Sequence, residues 1–202
     1  VKPTRPVLPK EFVAARKRRR IMDAMAELSA EQGYEATKIG DIVRRAGVAR
    51  KTLYDNFEGK EEVFLAAIDS ALQEALARVE EGCAGSGDEW SERLEAGLAA
   101  LLGYLAENPA EARMCMIDAL SATPASGARY DDALHRFVEL MRRNAPRDTG
   151  LPETIEDTLA GGIAWILSQQ IRRDEAERAP ELLAQLFEFA ISPYRGVEKS
   201  VK

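Results

Sequence analysis

Apolar residues in this chain recur at intervals of three and four, and nowhere alternate with period two for long enough to make a strand. Ile21, Ala24, Met25 and Leu28 set the face of a first helix, and Gly33 supplies its stop. Thr37 is a natural N-cap for a short second helix, in which Ile39, Ile42, Val43 and Ala46 fall at i, i+3, i+4 and i+7. Gly47 can take the left-handed conformation that a tight turn between helices needs. A third helix over residues 50–57 buries Leu53 and Phe57 and turns Lys51, Thr52, Asp55 and Asn56 outward; Gly59 ends it.

From Lys60 the pattern lengthens. Phe64, Ile68, Leu72, Ala75, Leu76 and Val79 form a stripe that stops at "EGCAGSG". Asp88 is placed to cap a helix carrying Trp90, Leu94, Leu98, Leu101 and Leu105. Asn108 as cap, Pro109 at the first helical position and Glu111 in capping-box register predict a restart that runs to about Leu120. Further helices are predicted over residues 125–144, 152–172 and 179–192, the last opening at Pro180 and stopping at Pro193. The expected fold is all-α, with about nine helices. Pro3, Pro6 and Pro9 mark residues 1–11 as an extended arm. Residues 12–59 then form a first domain and 60–202 a larger helical one.

Charge changes this picture, because it is unevenly placed. The chain carries 28 Lys/Arg against 34 Asp/Glu, a net of −6. Residues 1–60 hold 14 Lys/Arg and 8 Asp/Glu, a net of +6; the remainder holds 14 and 26, a net of −12. A basic head on an acidic body implies that only the head meets a polyanion. The composition, 46% hydrophobic and 31% charged, belongs to a folded globular chain. The longest nearly uninterrupted apolar run, Leu98 to Ala106, is too short to cross a bilayer, and no apolar signal core is visible at the N-terminus. A cytoplasmic protein with no membrane partner is expected. Cys83 and Cys115 lack metal-ligand spacing and read as reduced packing residues. No metal or other cofactor is expected.

Two short helices joined by a glycine turn, the second studded with polar side chains, read as a helix-turn-helix. A major groove roughly 12 Å wide admits one α-helix and displays a distinct donor and acceptor pattern for each base pair. Arg50, Lys51 and Thr52, in the first turn of the second helix, are the candidates for base edges. Tyr54 would lay its ring along the helix-pair core with its hydroxyl on a phosphate. Lys60 and Thr37, each near a helix N-terminus, combine a side chain with free amides and are candidate phosphate contacts. Arg18 belongs to the run Arg16-Lys17-Arg18-Arg19-Arg20, whose members point in several directions, so only some of them can meet one DNA backbone.

The segment "RRRIMDAMAELSAEQGYEATKIGDIVRRAGVARKTLYDNFEGKEEVF" resembles the DNA-binding domain of the tetracycline-repressor (TetR) family of bacterial transcriptional regulators. The resemblance rests on Arg18 with Ile21 and Ala24, Gly33-Tyr34, Thr37, and Ile42 before Ala46-Gly47-Val48. It closes with Thr52-Leu53-Tyr54, Phe57 and Lys60-Glu61. It covers residues 16–64; behind it, the number of helices agrees with the family's plan and "FEFAISPYRG" looks like its usual ending. Three positions depart from the pattern. Ala49 stands where the family often has Ser, Asn56 where a His commonly precedes the phenylalanine, and Lys38 where a small or hydroxyl residue is frequent. Lys38 and Asn56 are therefore expected to alter which operator is read.

The resemblance implies a homodimeric repressor that leaves a palindromic double-stranded DNA operator when a small, largely apolar effector binds. Dimers gain range by reading two half-sites about one helical turn apart. Two stripes are available for the dimer surface: Ile155, Leu159, Ile163 and Ile166, with Gly162 allowing another helix close, and Leu182, Leu186 and Phe189. The resemblance makes of them a four-helix bundle; the alternative is that both stripes pack inside one subunit. Residues 60–145 would by resemblance enclose the effector, with Tyr104, Met114, Asp118, Phe137 and Trp165 as candidate lining. Asp118 interrupts an apolar helix, and a buried carboxylate needs a partner. An enzyme is not expected. The chain has one histidine, and the Asp132 and His135 pair would need a second such motif to form a di-iron bundle. A dimeric regulator that answers to a protein partner instead of a small molecule stays open as the alternative.

Overall fold

The computed structural model describes residues 10–87, 89–146 and 149–195. Pro3, Pro6 and Pro9 of the expected arm, the cap assigned to Asp88, and Gly196 of the C-terminal ending lie outside the described residues. Every regular element among those described is helical. The chain begins with α1 (Lys10–Gln32), α2 (Ile39–Ala46), α3 (Arg50–Tyr54), α4 (Lys60–Gly85) and α5 (Trp90–Glu107). Then α6 (Pro109–Arg113) passes through a π turn (Met114–Asp118) into α7 (Ala119–Ala122). After α8 (Pro124–Asn144) and α9 (Ile155–Arg172), a 3-10 segment (Ala176–Leu182) leads into α10 (Leu183–Arg195). With the α6–α7 rod and the 3-10/α10 rod each taken as one, the all-α fold has nine rods among the described residues.

The chain divides into two compact units, Val1–Ala67 and Ile68–Lys202. In the first, Ile21 and Met25 from α1, Ile42 from α2, Leu53 from α3 and Phe64 from α4 are fully withdrawn from water, with Phe57 almost so. Each such side chain contributes roughly 1.5–3 kcal/mol on burial, so this small unit depends on nearly all of them. The Tyr34 ring lies 4.5 Å from that of Phe64 and closes the core below the α1–α2 turn.

The second unit has its core where α5, α9 and α10 meet, around Leu102, Leu105, Ile163, Leu167, Ile171 and Leu186. Its local structure departs from the periodic expectation in several places, among them the π turn within the helix expected to run to Leu120 and the 3-10 geometry of Ala176–Leu182, which delays to Leu183 the α-helix expected to open at Pro180. Asn108 does precede Pro109 at the start of α6, but its side chain donates backward to the Tyr104 carbonyl at 2.9 Å and closes α5 instead of capping α6. Helix α8 opens on a capping box that the periodicity did not register. The Ser126 amide donates to the Thr123 hydroxyl at 3.1 Å, and the Thr123 amide donates to the Ser126 hydroxyl at 3.0 Å. Pro193 does not stop α10, which continues to Arg195 and thereby buries Tyr194. A proline costs a helix one amide bond and crowds the preceding turn, and here buried Ile191 and Tyr194 on either side hold that turn in place.

Candidate nucleic-acid interface and body cavity

In the first unit, α2 is laid against α1 by Arg45, whose guanidinium meets Glu31 at 2.8 Å and Glu27 at 2.9 Å. The hydrogen bond from Arg45 holds the Glu31 carboxyl below its ordinary range. Helix α2 ends at Gly47, with φ 60° and ψ 42°. Its amide donates to the Arg44 carbonyl at 3.2 Å and the Val48 amide to that of Val43 at 3.1 Å. Glycine is required here twice over. The left-handed backbone disfavours any other residue, and a Cβ would lie 2.6 Å from Arg20 Nη2. That same nitrogen donates to the Gly47 carbonyl at 3.3 Å, so Arg20 braces the turn from α1.

Beyond the turn, α3 sends Leu53 fully inward and leaves Arg50 and Lys51 exposed, with Thr52 half-buried. Tyr54 is 46% exposed. Its ring does not lie along the core as expected, because Leu53 and Phe57 already fill that space. Instead Arg50 lies over it, 5.7 Å from the centroid, and donates to its hydroxyl at 3.4 Å. Lys38 is the exposed residue immediately before α2. These five side chains form the outward polar surface of the helix pair.

The other four candidates do different work. Thr37 neither caps α2 nor reaches the surface. It is 1% exposed, its hydroxyl donates to the Gly33 carbonyl at 2.9 Å, and Gln32 Nε2 donates to it at 3.4 Å. The helix starts one residue later than the sequence suggests, and the carbonyl left at the end of α1 takes the hydroxyl. Lys60 is half-buried; its Nζ donates to the Tyr34 carbonyl at 3.1 Å and stands 4.0 Å above the Tyr34 ring. Arg18 donates from Nη1 to the Asn56 carbonyl at 2.8 Å, with its guanidinium 4.1 Å over the Phe57 ring. The Asn56 side chain donates to the Thr52 carbonyl at 2.7 Å and so closes α3. Arg18, Asn56 and Lys60 thus hold the helix pair in place. Arg20 and Arg45 do the same; Arg20 looked in the sequence like one member of a charge run, and only its partner distinguishes it.

The second unit contains a cavity of about 150 Å³ walled mainly by α4, α5 and α8. On α5 it is lined by one continuous stripe that includes Trp90, Arg93, Gly97, Leu101 and Tyr104. Nearly every other lining group is aliphatic, aromatic or methionine. Polar groups gather at its ends. Tyr104, 2% exposed, donates its hydroxyl to Glu111; burial first, and that carboxylate second, push its phenol far above the ordinary range. Elsewhere in the lining, the Tyr194 ring is 4.5 Å from that of Trp90, and its hydroxyl donates to Glu156 Oε1 at 2.7 Å. Burial and that hydrogen bond raise the Tyr194 phenol as well.

Of the five expected lining residues, Tyr104 and Phe137 face the cavity. Met114 is fully buried but outside the lining, Asp118 is half-buried outside it, and Trp165 is 67% exposed. Trp90, Arg93, Tyr130 and Tyr194 were missed, although Arg93 shares the spacing of the Leu101 stripe. The two dimer stripes are divided. Leu159, Ile163 and Leu186 are buried in the subunit's own core, and Ile155, Ile166 and Leu182 are half-buried. Gly162 does receive a close neighbour, but from the same chain: a Cβ there would lie 2.9 Å from Phe189 Cζ. The large apolar side chains that α9 and α10 leave exposed are Trp165 and Phe189, the latter at 40%.

No helix among the described residues is long and apolar enough to cross a membrane. Residues 21–67 match the family model for bacterial regulatory proteins of the tetR family. An HTH-type transcriptional regulator of Bacillus subtilis (strain 168), YezE, is 30% identical over 124 residues, which span 59% of this chain and 59% of that protein. The HTH-type transcriptional repressor KstR of Rhodococcus jostii (strain RHA1) is 27% identical over 181 residues, 84% of this chain and 82% of its own. Among solved structures, the transcriptional regulator FadR from Bacillus subtilis in complex with stearoyl-CoA superposes with a TM-score of 0.70 at 18% identity, covering 87% of this chain and 98% of that one. With the glycine-turned helix pair and its exposed basic residues, these matches make residues 21–67 similar to the DNA-binding segment of bacterial regulatory proteins of the tetR family.

Proposed function

We propose that this protein is a cytoplasmic homodimeric repressor that leaves a palindromic operator when a small, largely apolar effector enters the cavity of its second unit. The observation that carries the DNA half of the reading is α3. Arg50, Lys51 and Tyr54 stand exposed on a helix whose opposite side is anchored by Leu53 at 0% exposure. Arg50, Lys51 and Thr52 read base edges and Lys38 and Tyr54 reach the backbone, while Arg18, Thr37, Asn56 and Lys60 keep the pair in register. Exposed Trp165 and Phe189 supply the apolar surface of the dimer, since aromatic side chains of this size left in water mark an interface.

The cavity supports the effector half. Its apolar lining with a few polar groups at the ends is the composition of a small-molecule site. That FadR was solved with stearoyl-CoA supports a ligand in a body of this fold. Release needs only that the effector bind one arrangement of the dimer better than the other, and a coupling of about 1–3 kcal/mol is typical. Helix α4 begins in the first unit and lines the cavity in the second, which makes it the natural lever.

The test is selection of bound sequences from random duplex DNA by the full chain at two salt concentrations. An inverted repeat should emerge, with affinity falling steeply as salt rises. Recovery of no common sequence, or of a single unrepeated half-site bound by a monomer, would overturn the reading.

A further inference from the structure

The cavity has a direction. Two ion pairs show that α4 and α8 flank it in parallel: Arg129 meets Asp69 at 2.9 Å, and Arg143 meets Glu80 at 3.6 Å. On α4 the lining runs from Ala71 to Cys83, on α5 from Trp90 to Leu105, and on α8 from Tyr130 to Asn144. At the helical rise these stretches span about 18, about 22 and about 21 Å. The Cys83 thiol donates to the Arg93 carbonyl at 3.4 Å, which fixes one end where α4 finishes and α5 begins. Trp90 against Tyr194 belongs to that end as well. Tyr104 and Glu111 mark the other.

Charge differs between the ends. Arg93 is the cationic side chain of the lining and Glu111 the anionic one, with apolar wall between them. A lining drawn out over such a length along three helices suits one hydrocarbon chain better than a plate of fused rings. Met116 and Met141 in the cavity wall are unbranched and can repack around a flexible chain.

The geometry points to a straight acyl chain as the ligand, its acyl oxygen at Arg93 and its tail running toward Tyr104; this rests on the reading of the cavity as the effector site. Arg93 donates to the acyl oxygen, whether that belongs to a free carboxylate or to a thioester whose carrier extends out of the cavity. The reverse orientation would place that oxygen against the Glu111 carboxylate, which repels it. An extended chain of about twelve carbons spans the distance.

Titration calorimetry on the full chain tests this with dodecanoate, dodecanoyl-CoA, dodecan-1-ol and the rigid four-ring acid cholate. Dodecanoate or dodecanoyl-CoA should bind at least about tenfold more tightly than the alcohol, which lacks the acyl oxygen, and than cholate. Binding of only one of the two would identify the source of the chain. R93Q should cost about tenfold, and E111Q, which removes the opposing charge without changing shape, should leave affinity equal or higher. Preference for cholate, no acyl binding, or loss confined to E111Q would overturn the assignment. Duplex DNA recovered by selection separates the two readings. If another apolar compound releases it while acyl compounds do not bind, the acyl assignment fails alone. If acyl compounds bind but DNA affinity does not change, the effector reading fails.

Discussion

Arg18 and Asn56 are thirty-eight residues apart, and the Arg18 guanidinium donates to the Asn56 carbonyl at 2.8 Å while covering the Phe57 ring. One side chain from α1 thus fixes the far end of α3. The bond gives a way to tell a positioning arginine from a phosphate-binding one. R18M, which keeps the apolar stem and removes the charge-assisted bond, should lower the thermal midpoint and weaken every DNA sequence alike. The slope of log affinity against log salt should stay unchanged. A direct phosphate contact would reduce that slope by about 1.

Lys51 and Thr52 should behave in the opposite way. The double replacement K51A/T52A touches no buried residue and should leave unfolding within about 0.5 kcal/mol of wild type. Discrimination among bases at one or two operator positions should fall by about 1–3 kcal/mol. Competition binding against single-base operator variants measures this directly.

Gly47→Ala should destabilise the first unit by about 1–2 kcal/mol through its left-handed backbone alone. The new methyl also displaces Arg20 Nη2, which would otherwise stand 2.6 Å away. Urea unfolding checks the size. Pairing the change with R20A tests the cause, because with the arginine gone only the backbone contribution should remain.

Trp165→Arg should separate the subunits. The indole is 67% exposed, so the change costs the single subunit little, whereas two cations facing each other across a symmetric contact repel. Sedimentation velocity at micromolar protein should show a monomer with wild-type helicity. A dimer that survives would move the interface away from α9.

The thiols offer a probe of the cavity wall. Burial raises both, Cys115 far above the ordinary range, and Cys115 is only 6% exposed. At neutral pH iodoacetamide should label Cys83 slowly, and Cys115 at least about tenfold more slowly until the chain is unfolded. Peptide mass spectrometry separates the two sites.

Much of this architecture was legible in the order of residues, and the failures have physical causes. The helices of the first unit followed from period and from Gly33 and Gly47, because local spacing and left-handed glycines are properties of short segments. Thr37 was misplaced because a hydroxyl beside a helix start has two possible partners, and the Gly33 carbonyl that wins is set by how the turn folds back. The π turn at Met114–Asp118 has no signature in "MCMID". Trp165 was a misreading of information already present: it stands two residues from Ile163, about 200° round the helix, on the side away from the core. Periodicity shows that α9 has an apolar stripe, but the fate of residues off that stripe depends on what packs there. Tyr104 and Phe137 were named for the cavity, but Trp90 and Arg93 escaped for the same reason, since they share a stripe with leucines that would serve equally well in a solid core.

The rod from Pro109 to Ala122 carries its irregular turn where Cys115 meets the cavity. A π turn is a helical dislocation, one residue more than the neighbouring α geometry accommodates. Annealing it to regular pitch would swing the residues on one side by about 100° relative to those on the other. Cys115 and the whole of α7 could not then both keep their present neighbours. The lining of the cavity and the phase of α7 are therefore one mechanical variable, with a single quantum of adjustment.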